Sequence, residues 1–252
     1  MLLNCPDRLK IPSKQKNEVD MSSIQDASVA AVDAAITSRR SVRAFLPDAV
    51  SRETVSTILE LASHTANSAN MQPWRVYVVT GAARQRLVDA ACYAYDHEPD
   101  KHTTEFEYYS SPMFEPYLGR RRKMGLALYS LLDLKKENKE GMRLQQRRNL
   151  LFFDAPVGML FTMHRGLTNA SLLDYGTFIG NIMAATRARG LDTCNVGSWS
   201  TYHRIVREQL NLTPDEMLLG GMALGYADNH ALVNQLRTDR LPVSEFTTFL
   251  ED

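Results

Sequence analysis

The chain has 252 residues, 44% of them hydrophobic, and its 29 Lys and Arg balance its 29 Asp and Glu. That composition supplies ample core material and argues against a general nucleic-acid or membrane-surface binder, because such partners demand a basic excess. The three cysteines, Cys5, Cys92 and Cys194, form neither a CxxC pair nor an even framework, so free thiols in a reducing, cytoplasmic compartment are expected.

Residues 1–27 are polar and lack sustained periodicity, which reads as a flexible, surface-wrapping arm with Met21 as an alternative start. No apolar run approaches the length of a bilayer span. A helix is predicted over 29–39 and runs into Ser38-Arg39-Arg40-Ser41-Val42-Arg43-Ala44-Phe45. Three guanidiniums and a hydroxyl within five residues offer bidentate donors to a phosphate or a paired acceptor edge. A solvated basic helix end is the plainer reading, since Arg also complements the negative end of a helix dipole. Apolar spacing at Val55, Ile58, Leu59 and Leu61 predicts a second helix over 51–63 with Ser51 as its N-cap.

Asn67-Ser68-Ala69-Asn70-Met71-Gln72-Pro73-Trp74 then packs four polar side chains, a helix stop and a Trp into eight residues before a strand over 74–80. Such an elbow can grip a ligand with several hydrogen-bonding edges; a capped turn ended by Pro73 accounts equally for the pattern. A helix is predicted over 82–95. Residues 96–116 break the pattern with a run of aromatic residues and prolines, and a structureless stretch of that length reads as a lid over a planar substrate, a surface excursion or a dimer contact. His97 and His102 lack a third ligand at metal-binding spacing, so no metal is expected.

Helices follow over 119–136, with the basic start Arg120-Arg121-Arg122-Lys123, and over 143–151. The basic start reads as a solvated face, with phosphate recognition as the alternative. The apolar run 156–163 reads as a buried strand, 172–189 as a central helix, 202–210 as a helix and 217–225 as a strand. The tail from Asn229 is extended and polar. No GxGxxG or Walker-type lysine motif is present, so any bound phosphate depends largely on Arg. Alternating helices and strands indicate an α/β or α+β class.

Taken together, the Arg block and the elbow resemble the N-terminal pattern of the nitroreductase-like FMN flavoproteins. The likeness extends to Gly190-Leu191-Asp192-Thr193-Cys194-Asn195-Val196-Gly197-Ser198-Trp199, similar to the family's flavin-facing loop. It continues through Leu219-Gly220-Gly221-Met222-Ala223-Leu224-Gly225-Tyr226-Ala227-Asp228 and Arg237-Thr238-Asp239-Arg240-Leu241-Pro242. Arg148-Asn149, the run from Phe152 to Gly158 and Leu173-Asp174-Tyr175-Gly176 resemble the subgroup that reduces nitroaromatics, dinitroanilines included.

The resemblance implies an α+β fold, a central mixed sheet flanked by helices, in an arm-exchanged homodimer with FMN at its interface. A single domain over 28–252 with an excursion at about 96–140 fits it. Arg39, Arg40, Ser41 and Arg43 would then reach the flavin's pyrimidine edge, ribityl chain and phosphate. Asn67, Ser68 and Asn70 would serve the FMN of the other subunit. Val196, Gly197 and Ser198 would line one flavin face, and Arg237 and Arg240 would bind the phosphate. The sequence departs from the family at Ala66-Asn67, where many relatives show Pro-Ser, and at Asn195, where the nearest subgroup often has Pro.

The implied reaction is ping-pong: NADH or NADPH reduces FMN and leaves, and a nitroaromatic takes the two electrons at the same site. Tyr108, Tyr109 and Trp199 are the candidate aromatic pocket walls, with core packing the plainer reading for Trp199, and no side chain is assigned as acid or base. Quinone or enone acceptors, a flavin-binding module without turnover, and a nucleic-acid binder acting through Arg120 to Lys123 and Arg147-Arg148 are the competing classes.

Overall fold

The computed structural model describes residues 21–251. The first helix, α1 (Met21–Ser38), is followed by α2 (Arg52–Ser63), β1 (Arg75–Thr80), α3 (Gly81–His97), α4 (Tyr117–Leu131), α5 (Lys139–Arg147), β2 (Val157–His164), α6 (Asn169–Arg187), β3 (Asp192–Val196), α7 (His203–Leu210) and β4 (Glu216–Gly225). The sheet order is β1-β2-β4-β3 and every named neighbour pair is antiparallel. The parallel component of the expected mixed sheet is a single bridge, Ser41 to Thr193. Helices cover both faces, giving the expected α+β class.

β2 is buried along its whole length except at His164, which explains why 156–163 reads as a continuous apolar run rather than an alternating one. One core layer gathers Val42, Leu87, Phe152, Leu160 and Trp199; the other gathers Ile58, Met159, Phe161, Tyr175, Phe178 and Met222. Helix α2 begins where Ser51 Oγ accepts from Thr54 N at 3.1 Å, and it buries Val55, Ile58 and Ala62. Each large side chain so buried contributes about 1.5–3 kcal/mol.

Four expectations shift. Of the predicted arm, residues 1–20 lie outside the described residues, and 21–27 form the opening turns of α1. Helix α4 ends at Leu131, before the charged run at Lys135, because Asp133 turns left-handed with φ 50°. Helix α5 starts at Lys139 rather than 143, capped by Asn138, whose Oδ1 accepts from Gly141 N at 2.8 Å. The segment 190–199, read as a loop, contains β3, whose polar residues Asp192, Thr193 and Asn195 carry no strand signal of their own. Its pairing with β4 from Asp192–Gly225 to Val196–Gly221 supplies the order.

Candidate active site

The Arg block lies at the C-terminal end of α1 and is stitched to β3. Val42 N donates to Thr193 O at 3.1 Å beside the Ser41–Thr193 bridge. The tail after β4 folds back against it. Asn234, buried, accepts from Arg43 N at 2.7 Å and donates to Ala44 O and Asp228 O, both at 2.8 Å. The result is a cavity of about 830 Å³ lined by Arg39, Arg40, Ser41 and Arg43 from one side and Arg237, Thr238 and Arg240 from the other. Five guanidiniums and no carboxylate line it.

Neutral acceptors hold these cations in place. Arg40 Nη2 donates to Asn229 Oδ1 at 3.1 Å, Arg237 Nη1 to Asn234 O at 2.9 Å, and Arg240 Nη1 to Thr238 Oγ1 at 2.9 Å. Asp192, at the base of β3, pairs instead with Arg187 at 3.0 Å. Burial pushes its carboxyl upward against the opposing charges of Arg187 and Arg40. Arg40 Nε is buried and has no hydrogen-bond partner among the described residues. A concave site with unneutralised bidentate cations and an unmade donor is built for a polyanionic ligand.

β3 carries the chain about 10 Å from Thr193 to Val196 at its ordinary rise per residue, and there the second part of the site begins. Gly197 presses against the ring of Tyr108, leaving no room for a Cβ. Gly220, at φ 155° beside the register shift between Phe161 and Thr162, lets β4 pass close to Val196 O and the Gly197 Cα. Next to this crossing is a cavity of about 170 Å³ walled by Phe106, Tyr108, Phe161 and Tyr175, with Leu172, Gly176, Ile179, Asn195, Leu219 and Gly220 completing it. Aromatic walls and a glycine floor make a slot for a flat apolar ring.

The elbow is backbone-strained: Ala69, Asn70 and Gln72 all have left-handed φ, from 49° to 57°. Clustered outliers in non-glycine residues persist only where the surroundings hold them. Here Asp174 of α6 accepts from Ser68 N at 3.2 Å and Ser68 Oγ at 3.3 Å, and Asn67 Oδ1 accepts from Gln72 N at 2.9 Å.

A model of the Nitroreductase family matches residues 36–226. The chain belongs to the Nitroreductase family. It is 43% identical to a chloronitrobenzene nitroreductase of Comamonas testosteroni over 88% of this chain and 97% of that protein. It is 42% identical to a nitrobenzene nitroreductase of Ectopseudomonas oleovorans, with the same coverage. Among solved structures, the FMN-dependent nitroreductase NfnB from Mycobacterium smegmatis, in complex with NADPH, superposes with a TM-score of 0.85 at 33% identity, covering 89% of this chain and all of that one.

As a Nitroreductase-family site the arrangement is divided. Arg39, Arg40, Ser41, Arg43, Arg237 and Arg240 converge on one cavity. Gly197 stands with Tyr108 at the second, which also takes in Asn195. Asn67, Ser68 and Asn70 line neither of these cavities in the same chain. Tyr109 stands outside the slot, more than half exposed, edge-on to Tyr108 at 4.9 Å and under the Arg121 guanidinium at 4.6 Å.

Trp199 is a correction. It is fully buried and stacked on Phe152 at 4.7 Å, so it is a core residue and not a pocket wall. Cys194 is likewise buried, and its thiol is pushed up to about 11 by that burial, too high for a neutral-pH nucleophile. Asn229 and Asn234 escaped the sequence reading, while Phe106 stood in it only as part of the aromatic stretch 96–116 and Asp174 only as part of Leu173-Asp174-Tyr175-Gly176. For Asn229 and Asn234, the amide side chains punctuating the tail were the available signal.

Proposed function

We propose that this protein is an FMN-dependent NAD(P)H oxidoreductase that reduces nitroaromatic compounds by two-electron, ping-pong transfer. The observation that carries the reading is the acid-free cavity of five guanidiniums joined through β3 to an aromatic slot. The relatives' names point to nitroarenes as acceptors, and the FMN and NADPH in the neighbouring structure's name point to the cofactor and donor.

The residues fit FMN. The unpartnered Arg40 Nε supplies a donor awaiting an anionic acceptor, and Arg237 and Arg240 face it with further cations for a phosphate. Bound there, FMN supplies two-electron transfer between the nicotinamide donor and the nitro acceptor. Arg39, Arg40 and Arg43 would hold it and would stabilise negative charge on its reduced form. The main chain of Val196, Gly197 and Ser198 donates without depending on side-chain identity. Phe106 and Tyr108 hold a flat arene and keep water away from it. The Tyr108 hydroxyl is raised by burial and stays protonated at neutral pH, and protons for the product come from water.

The reading includes a homodimer. Val29, Val32 and Ile36 form an exposed apolar stripe on α1, and Phe246, Phe249 and Leu250 are exposed on the tail, surfaces that a second copy would cover. In that assembly Asn67, Ser68 and Asn70 serve the partner's cofactor. A cytoplasmic location fits the free thiols of Cys92 and Cys194.

Steady-state NADPH oxidation with nitrobenzene as variable acceptor tests the reading. Parallel double-reciprocal lines and a requirement for FMN are expected. FMN-independent turnover, or none with any nitroarene, contradicts it.

A further inference from the structure

Between α3 and α4 the chain runs from 98 to 116 without regular structure. Among the described residues, no backbone group from His102 to Met113 takes part in a hydrogen bond. Yet this stretch delivers Phe106 and Tyr108 to the slot beside Gly197. Something besides hydrophobic burial, which is non-directional, must place them.

The polar tether is Glu105. Its Oε1 accepts from Arg165 Nη2 at 2.9 Å and, more distantly, from Arg207 Nη2 at 3.5 Å, while Oε2 accepts from Leu218 N at 3.2 Å. His203 Nδ1 lies 3.5 Å from Oε1. The carboxylate is thus clamped between the end of β2, helix α7 and strand β4, with a side chain only 12% exposed. Burial alone would raise its pKa; the bonds from Arg165 and the Leu218 N–H, with the charges of His203 and Arg165, outweigh burial and hold it below the ordinary value. Phe106 and Tyr108 lie one and three residues beyond the clamp. No backbone hydrogen bond among the described residues intervenes between the clamp and those rings.

We propose that Glu105 is a positioning residue for the acceptor pocket: its clamp on Arg165, Arg207 and Leu218 N fixes the Tyr108 ring against Gly197 and so closes one wall of the nitroarene slot. The proposal rests on the function proposed above. Glu105 itself does not line the arginine cavity, so cofactor binding is independent of it.

The test is a double-mutant cycle in the FMN-loaded protein. Glu105→Gln keeps the shape but removes the charge and turns a donor toward the guanidiniums. Tyr108→Ala removes the ring from a partly exposed site, where folding is insensitive. Loss of one placed aromatic wall corresponds to about a tenfold rise in nitrobenzene KM. The expected result is that rise in E105Q, with FMN affinity and kcat within about threefold of wild type. Adding E105Q to Y108A should raise KM by clearly less than E105Q does in wild type, because the clamp acts in large part through that ring.

E105Q should also be cut faster by chymotrypsin at residues 106–109. If E105Q fails to fold, Glu105→Asp, one methylene too short to reach both Arg165 and Leu218 N, gives the same comparison. An unchanged KM in E105Q, or additive effects of E105Q and Y108A, overturns the proposal while leaving the proposed function standing. A wild-type protein that takes up no FMN and reduces no nitroarene overturns that function, and this role with it.

Discussion

Arg40 offers a perturbation whose two consequences run in opposite directions. Its Nε is buried without a partner among the described residues, while Nη2 donates to Asn229 at 3.1 Å. An unmade buried donor costs about 1–3 kcal/mol, and a bond to a neutral acceptor returns about 1 kcal/mol. Arg40→Ala removes both. The flavin-free variant should therefore be more stable by about 1 kcal/mol, roughly 2–4 °C in Tm for a chain of this size. Relief of repulsion within a cavity of five guanidiniums acts in the same direction. FMN binding moves the other way: a charge-assisted bond contributes about 1.5–3 kcal/mol, so Kd should rise roughly 10- to 150-fold. Arg40→Lys, which keeps the charge but loses the fork, should fall between. Quenching of FMN fluorescence reads the Kd, and thermal unfolding of the flavin-free protein reads the stability. Wild-type FMN affinity in R40A would refute the reasoning outright, and a lower Tm in its flavin-free form would refute the orphaned-donor argument.

Glu216, buried at the start of β4, accepts from Thr162 Oγ1 at 2.7 Å, from Tyr77 Oη and Arg75 Nη1, and from Thr213 N at 3.2 Å. Burial opposes ionisation, but these bonds prevail and hold its pKa at about 2 against an ordinary 4.5. A depressed carboxyl stabilises the fold above its unfolded value and loses that contribution as pH falls toward the folded one. Linkage over this interval corresponds to about 3 kcal/mol. Denaturant midpoints measured from pH 5 to 2 should fall steeply for wild type and little for E216Q; equal slopes would contradict the assignment. Trp199→Ala should cost about 3–5 kcal/mol by chemical denaturation, whereas Trp199→Phe should leave nitrobenzene KM within about twofold; a large KM change with an unchanged midpoint would return Trp199 to the pocket wall. Gly197→Ala places a methyl into the Tyr108 ring, and overpacking of about 1–3 kcal/mol should lower kcat/KM for nitrobenzene roughly 5- to 150-fold. That loss should vanish in a Tyr108→Ala background; its persistence would mean that the Tyr108 contact is not the cause.

Much of the arginine cavity was legible because its chemistry is local. Arg39, Arg40, Ser41 and Arg43 lie within five residues, and no gap in pattern is needed to see an anion site there. Closure by Arg237 and Arg240 came from resemblance, since the tail's return depends on Asn234 bonding to Arg43 and Ala44, partners 190 residues away. Helices and strands with strong periodicity, such as α2 and β2, were readable from spacing. β3 was not, because its five residues are mostly polar and its strand character comes from β4. Trp199 and Tyr109 were misplaced for a common reason: irregular backbone has no period from which to read a facing direction. Phe152 decides the first, and the clamp on Glu105 bears on the second. The left-handed turns at Ala69 and Gln72 have no glycine to announce them; Asp174 and the closing bond of Asn67 hold them in place.

The central claim, that the arginine cavity seats a flavin shared in turn by a nicotinamide donor and a nitroarene, is met most directly by an anaerobic visible spectrum of the FMN-loaded protein. NADPH should bleach the flavin bands completely, and nitrobenzene should then restore them with NADPH gone. Flavin bands that do not bleach with NADPH, or that bleach and stay bleached when nitrobenzene and then a chloronitrobenzene are added, would contradict the account.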